Sequence, residues 1–312
     1  MCAAESPITD IGVLAKQESA PPYIGRSPLA ESWRSLKRNR GALIGLIVVV
    51  GFILIGIVGR MALRDPSILL HDYASQDLMA TFLKPGTDGH ILGTDQLGRD
   101  MLSRLIVGIG ISLSVGFGVT AISMAIGLLA GSVAGYRSGW PDTIISGIIE
   151  ITWGFPLILI AIIIAGVIGP GLTSIVLAIA LINWAGFARL IRGEVIVLRN
   201  QEFVQAARAT GVGDWRILFR HILPHTIAPA LVMASYYVAA AIIAEAAFSF
   251  IGLGAQPPTP SLGAMIADGR NYILLDHWIS TIPGLTIVII VVALNLLGDG
   301  LRDMFDPRLR NR

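Results

Sequence analysis

The sequence predicts an all-α membrane protein of six spanning helices, and three observations carry that prediction. Only 14% of the 312 residues are charged and 54% are hydrophobic, for a mean hydropathy of +0.72. Soluble domains hold roughly 25% charged and 45–50% apolar residues. The 23 Lys and Arg and 21 Asp and Glu are too few to cover a water-exposed surface. The 35 glycines lie within apolar runs, where glycine lets membrane helices approach closely. Long charge-free stretches bounded by charges complete the pattern. A net charge of +2 with scattered basic residues makes no case for nucleic acid. The single cysteine, Cys2, excludes disulfide scaffolds and thiolate metal clusters. With no apolar run before it, Cys2 reads as an unmodified residue near the terminus.

The spans follow in order. Residues 1–40 are polar and become basic toward residue 40, so no cleavable signal is expected and the first apolar segment stays as an anchor. A bilayer core of about 30 Å needs about 20 apolar residues in helix. Gly41–Gly59, between Arg40 and Arg60, meets that need as the first span. Leu105–Gly135 is too long for one perpendicular helix and reads as a short interfacial helix leading into a second span near Ser112–Gly135. From Thr143 to Arg189 the only charge is Glu150, and Gly169-Pro170-Gly171 interrupts the run. Two spans near 144–168 and 172–190 result, with Pro156 expected to kink the first. Thr226–Ile251, holding only Glu245, and Ile279–Gly298 supply the fifth and sixth.

Six spans place both termini on one side, and the positive-inside rule orients them. With the termini cytoplasmic, segments 1–41, 136–143, 189–225 and 299–312 carry 17 of the 23 basic residues. The expected organisation is a cytoplasmic N-terminal tail over 1–40 and a first span with an extracytoplasmic segment over 41–104. A core of five spans over 105–304 contains the cytoplasmic loop 189–225, and a cytoplasmic tail fills 305–312. Segment 60–104 and loop 189–225 exceed ordinary connections, which tends to mark function.

The loop 189–225 reads as two short helices meeting at a turn. Gln201–Thr210 is rich in helix formers, with Phe203, Ala206, Ala207 and Thr210 near one face. Gly211 and Gly213 suit a helix end, and Asp214 is a natural N-cap for Trp215–Ile222, which Pro224 terminates. Small residues on one face beside bulky ones suit docking onto another protein; a solvated basic loop is the plain alternative.

Gln205-Ala206-Ala207, three residues, Gly211, nine residues, His221, one residue, then Leu223-Pro224 resembles the EAA motif of ABC-importer permeases. That motif has glutamate and isoleucine where this chain has Gln205 and His221. The glutamine keeps hydrogen-bonding ability but loses a charge, so an ion pair to an ATPase is not expected there. The stretch Gly93-Thr94-Asp95-Gln-Leu-Gly98-Arg99-Asp100 resembles a signature of peptide and nickel permeases. Phe250–Gly263, Gly298–Asp303 with Asp306-Pro307-Arg308, and Trp33–Gly45 resemble the same subfamily, the last in its C-type subunit. The resemblance spans nearly the whole chain beyond residue 27. It implies the type I ABC-importer permease fold, a bacterial-type plasma membrane location and a dipeptide, oligopeptide or nickel cargo. It also implies that loop 189–225 docks into an ATPase subunit, with Ala206, Ala207 and Gly211 allowing close approach and Gly213, Asp214 and Trp215 shaping the turn. The implied partners are a paralogous permease, two ATPase subunits or one fused ATPase, an extracytoplasmic binding protein and the bilayer. No cofactor or metal is expected on this chain; ATP and Mg would sit on the ATPases.

The polar residues within the spans admit two readings each. Glu245 either lies near the translocation path or partner, or hydrogen-bonds to a neighbouring helix. Glu150 suits snorkelling or helix pairing, and Asn183 an interhelical bond. Gly127, Gly131 and Gly135 form a packing face. Asp95, Arg99 and Asp100 satisfy the backbone of an outer turn and the start of a helix at 100–108. His221 and His225 share a metal-pair spacing, but Pro224 intervenes and no acidic ligand is near. No phosphate-binding lysine loop, nucleophile elbow or His-Glu-x-x-His is present, so catalysis is not expected. A self-sufficient secondary transporter would need inverted repeats and more intramembrane charge than Glu150 and Glu245 provide.

Overall fold

The computed structural model describes residues 39–305. The expectations for Cys2, for the tails 1–38 and 306–312 and for residues 33–38 of the Trp33–Gly45 stretch lie outside the described residues. The regular structure of the described residues is helical, with isolated bridges in place of strands, and the longest irregular stretch is 69–100. Its helices are α1 (Arg40–Ala62), α2 (Met101–Tyr136), α3 (Trp140–Gly154), α4 (Leu157–Ile168), α5 (Leu172–Leu198), α6 (Glu202–Ala209), α7 (Leu223–Phe250), α8 (Leu262–Gly269) and α9 (Trp278–Phe305). Five continuous helices are long and apolar enough to cross a membrane, and the bent pair α3–α4 makes a sixth.

Three elements differ from the sequence expectation. Leu105–Gly135 is not an interfacial helix joined to a span, because α2 runs unbroken for 36 residues. At 1.5 Å per residue that is about 54 Å, well beyond the hydrocarbon core. Asp100 sets its start by accepting from the Ser103 amide at 2.8 Å. Nothing between residues 105 and 112 lacks a helical partner, so the apolar run alone does not reveal where membrane ends. Second, Pro156 does more than kink its span: α3 and α4 meet at 88°. Phe155 is extended and Pro156 takes the cap position of α4, as expected of a proline and of the residue preceding one. Third, Pro224 does not end a helix. The chain from Asp214 passes through a wide π-type turn at Ile217–Ile222 and continues into α7. The wide turn hands the Leu223 amide to the Leu218 carbonyl, relieving the clash a proline ring makes with the carbonyl four residues back.

The helices α2 and α5 form the most extensive interface of the bundle. Gly127, Gly131 and Gly135 lie along that seam: a Cβ at Gly131 would overlap the Ala188 carbonyl, and one at Gly135 would stand 2.8 Å from the Arg192 carbonyl. The expected small-residue packing face is therefore formed, and it brings the backbones into contact. Helix α1 closes on α2 in the same way through Gly56, Gly59 and Gly110. On the other side of α2, Ile109 and Leu113 join Val238, Ile242 of α7 and Ile290, Leu294 of α9 in one apolar core.

Candidate functional site: two motif-bearing faces joined by one helix

The two motifs singled out in the sequence lie at opposite ends of α2. At its C-terminal end, α6 presents an amphipathic turn of chain. Only Val204 of α6 is buried, anchored in a cluster with Tyr136, Val195, Ile217, Leu218 and Ile222. Gln205, Ala206, Gly211, Gly213, Asp214 and Trp215 are all exposed, as is Pro224; Ala207 and Leu223 are half-buried.

The local structure explains this segment. Gly211 takes φ +79°, its amide bonds the Arg208 carbonyl at 3.0 Å and the Val212 amide bonds the Ala207 carbonyl at 3.1 Å. That is the Schellman arrangement, in which glycine at a positive φ satisfies the last carbonyls. Val212 and Ala207 both lean on the apolar anchor cluster. Asp214 is not the N-cap expected of it: Gly213 holds the cap position, and the Asp214 carboxylate accepts from the Tyr136 hydroxyl at 2.6 Å. The loop is thus bound to the last turn of α2. Arg199 adds to that link by donating to the Gly135 carbonyl at 2.9 Å and to the Ser138 hydroxyl at 2.7 Å. The Arg137 guanidinium covers the Trp215 ring at 5.1 Å. Gln205 donates to the Asn200 carbonyl at 3.1 Å, so the residue that departs from the EAA pattern serves the turn before α6.

At the N-terminal end of α2 the arrangement is reversed. Gly93, Thr94, Asp95, Gly98, Arg99 and Asp100 are all buried. The Asp95 carboxylate accepts from the Leu97 and Arg99 amides at 2.8 and 3.0 Å and from Arg99 Nε at 2.7 Å. Arg104 stands 3.3 Å from the same carboxylate. Both arginines then reach Asp268 on α8, at 3.2 and 3.0 Å. Two cations between two carboxylates clamp the signature turn to α8, and each buried charge finds a partner as burial requires. Thr94 accepts from the Leu83 amide at 2.9 Å and donates to the Ala80 carbonyl. Gly98 takes φ +70°, and a side chain there would overlap the Asp77 carbonyl. The signature is the frame on which residues 77–83 are hung.

Sequence reasoning did not find Asp268 or Tyr136 as members of these faces, and it gave Arg104 and Arg199, which lie in the two motif stretches, no partners. Each is joined to its partner only by tertiary contact, and nothing in its immediate neighbourhood in the chain announces the pairing. A buried carboxylate, Asp276, was missed as well: it is 2% exposed and neither oxygen has a hydrogen-bond partner among the described residues. Burial pushes its pKa up, with His277 and Lys84 opposing.

The intramembrane residues divide. Glu245 is fully buried and accepts from Ser112 of α2 and Ser249 of its own helix, both at 2.7 Å. Glu150 is exposed on α3. Asn183 is half-buried and makes no side-chain hydrogen bond among the described residues, so the interhelical bond expected of it is not formed within them.

Comparison with known proteins gives a consistent result. Residues 127–311 match the family described as binding-protein-dependent transport system inner membrane component. Residues 27–85 match the N-terminal TM domain of oligopeptide transport permease C. The dipeptide transport system permease protein DppC of Alkalihalophilus pseudofirmus is 39% identical over 303 residues, covering 96% of this chain and 97% of the relative. The di/tripeptide transport system permease protein DppC of Pseudomonas aeruginosa is 40% identical over 294 residues, covering 94% and 96%. Among solved structures, a chain of the MetNI methionine ABC transporter in inward facing conformations superposes with a TM-score of 0.54 at 20% identity. It covers 66% of this chain and 98% of its own length, a likeness of fold. Full-length relatives, a matching family over most of the helical core and the shared fold all agree: the chain belongs to the binding-protein-dependent transport system inner membrane component family, the multi-pass permease subunits of ABC importers.

Proposed function

We propose that this chain is the permease subunit of an importer for dipeptides or oligopeptides, with its termini and α6 in the cytoplasm. The observation that carries the reading is α6 itself: a helix held by one buried side chain, its motif residues turned outward, and tied through Asp214 to the end of α2. The relatives at 39–40% identity named for dipeptide or di/tripeptide transport support the cargo class. The 17 basic residues in the segments expected to be cytoplasmic support the orientation.

On this reading the chain performs no chemistry of its own. Partner ATPase subunits bind ATP and Mg, close on one another, and push on the surface around Ala206, Ala207 and Gly211. The exposed small residues let an ATPase groove come close to the backbone. The force passes through Val204 and the Asp214–Tyr136 bond into α2, whose interlocked glycines carry α5 with it. A paralogous permease completes the pathway between two such bundles. Segment 63–100 forms the surface that receives a binding protein and its peptide, while its signature residues work from inside that surface. Glu245, satisfied by two serines, fixes α7 against α2, and Glu150, exposed on α3, faces the pathway or the partner permease.

Reconstitution tests the proposal. Proteoliposomes holding this chain, its partner permease and the ATPases should take up a labelled dipeptide only with ATP and binding protein present. Gly211→Trp should leave ATP hydrolysis detached from uptake or prevent the ATPase from co-purifying. Uptake by this chain alone under an ion gradient would overturn the reading, and so would wild-type uptake and assembly in the Gly211→Trp variant.

A further inference from the structure

Beside the start of α2, outside the charged clamp already described, three residues from separate parts of the chain converge. One ligand atom from each of His71, His90 and Asp100 lies within 4.8 Å of the other two. The two imidazoles stack with centroids 4.4 Å apart and an interplanar angle of 30°. His90 Nδ1 is 2.8 Å from Asp100 Oδ1. We propose that His71, His90 and Asp100 form a binding site for a divalent cation of the Zn2+ class, placed in the 63–100 segment and closing it onto α2.

Two features argue for a built site. Asp100 is 3% exposed, and its second oxygen accepts from the Ser103 amide at 2.8 Å, which fixes the plane of the carboxylate as a supporting hydrogen bond does for a metal ligand. His90 sits in a closed turn: its amide bonds the Thr87 carbonyl at 2.9 Å and its carbonyl receives the Gly86 amide at 2.9 Å. Two of three ligands are therefore held before any ion arrives. The third, His71, is half-buried and makes no side-chain hydrogen bond among the described residues, so only its stack on His90 must yield for the ring to turn toward an ion.

The donor set selects the ion. Two imidazole nitrogens and one carboxylate oxygen suit Zn2+, which takes nitrogen at about 2.0–2.1 Å and oxygen at about 2.0–2.2 Å, with a fourth position left to water. Adjacent ligand atoms in such a tetrahedron stand about 3.3 Å apart, so the ion replaces the proton between His90 Nδ1 and Asp100 Oδ1, which is released to solvent, the pair opens from its 2.8 Å contact, and His71 turns off its stack to complete the set. Mg2+ and Ca2+ prefer oxygen and are disfavoured here. Bound metal would join residue 71, residue 90 and the first turn of α2 in one crosslink, stabilising the folded segment by mass action. The site is independent of which solute the importer carries.

The test uses the purified full chain in detergent, with Zn2+ alone as the probe. Competition against a chromophoric chelator should give one Zn2+ per chain. His71→Ala should weaken binding at least tenfold, and Asp100→Asn should weaken it while keeping an oxygen to cap α2. His225→Ala, at the opposite end of the bundle, should change nothing. Zn2+ should also raise the melting temperature of the wild type and leave that of His71→Ala where it was. Sub-stoichiometric binding, or an affinity unchanged in His71→Ala, overturns the site. Because His71 supports no other bond among the described residues, its variant remains informative even where His90→Ala fails to fold.

Discussion

The two ends of α2 carry motifs of opposite construction. At the N-terminal end, every residue of the Gly93–Asp100 signature named from the sequence is buried and its polar atoms are consumed internally. At the C-terminal end, Gln205, Ala206, Gly211, Gly213, Asp214 and Trp215 are exposed, and one valine anchors α6. A motif whose side chains face inward builds a surface; a motif whose side chains face outward is one. Under the proposed function the difference gives scaffolding to the first and contact to the second, in line with the outer turn and the docking helices expected from the sequence.

Substitutions should separate the two ends. The largest effect is expected from Asp95→Ala, which leaves Arg99 and Arg104 buried with only the half-exposed Asp268 to receive them. Breaking a buried charge cluster costs about 3–5 kcal/mol, and thermal unfolding in detergent should register it. The equivalent change at the other end, Gln205→Ala, should leave stability within about 0.5 kcal/mol of wild type, as surface changes do.

The glycines sharpen the same contrast. Gly98 and Gly211 both take a positive φ, but a Cβ at Gly98 would overlap the Asp77 carbonyl while one at Gly211 meets open space. Gly211→Ala should therefore cost only the left-handed backbone penalty, about 1–2 kcal/mol. Gly98→Ala adds the clash and should be clearly the more destabilising of the two. Equal losses would remove the distinction between a glycine needed for room and one needed for φ alone.

Tyr136→Phe removes the hydroxyl that α2 gives to Asp214 and nothing of the apolar ring. Stability should fall by about 1 kcal/mol, while uptake per ATP hydrolysed should fall by more than stability alone explains. Asp276 adds a prediction read through pH. Its folded pKa is raised by burial, so the carboxylate form is the disfavoured one in the folded protein. The wild type then loses stability as pH rises through the raised folded value, and Asp276→Asn should melt higher than wild type at neutral pH. Toward pH 4, near the unfolded carboxylate value, the two curves should converge.

Much of this architecture was legible in residue order, because bilayer crossing demands long apolar runs that few other constraints imitate. The glycines at 127, 131 and 135 announced a packing face through spacing alone. Legibility stopped where partners are distant in the chain. Asp214 reads as a cap because its neighbours form a turn, yet Tyr136, 78 residues away, takes its carboxylate. Pro224 reads as a terminator, yet the π-type turn before it absorbs the missing hydrogen bond. The Arg99–Asp268 and Arg104–Asp268 pairs join residues more than 160 positions apart, and no local spacing encodes them.

The central claim is that the α6 end of α2 meets the ATPase and the other end does not. Site-directed crosslinking in membranes measures that directly, with Cys2→Ser as background and single cysteines at Ala206→Cys and at Asp88→Cys. Ala206→Cys should crosslink to an ATPase subunit, with a yield that changes when ATP is added, and Asp88→Cys should not. A crosslink from Asp88→Cys to the ATPase, or labelling of Ala206→Cys by an impermeant thiol reagent added outside the cell, would contradict the account.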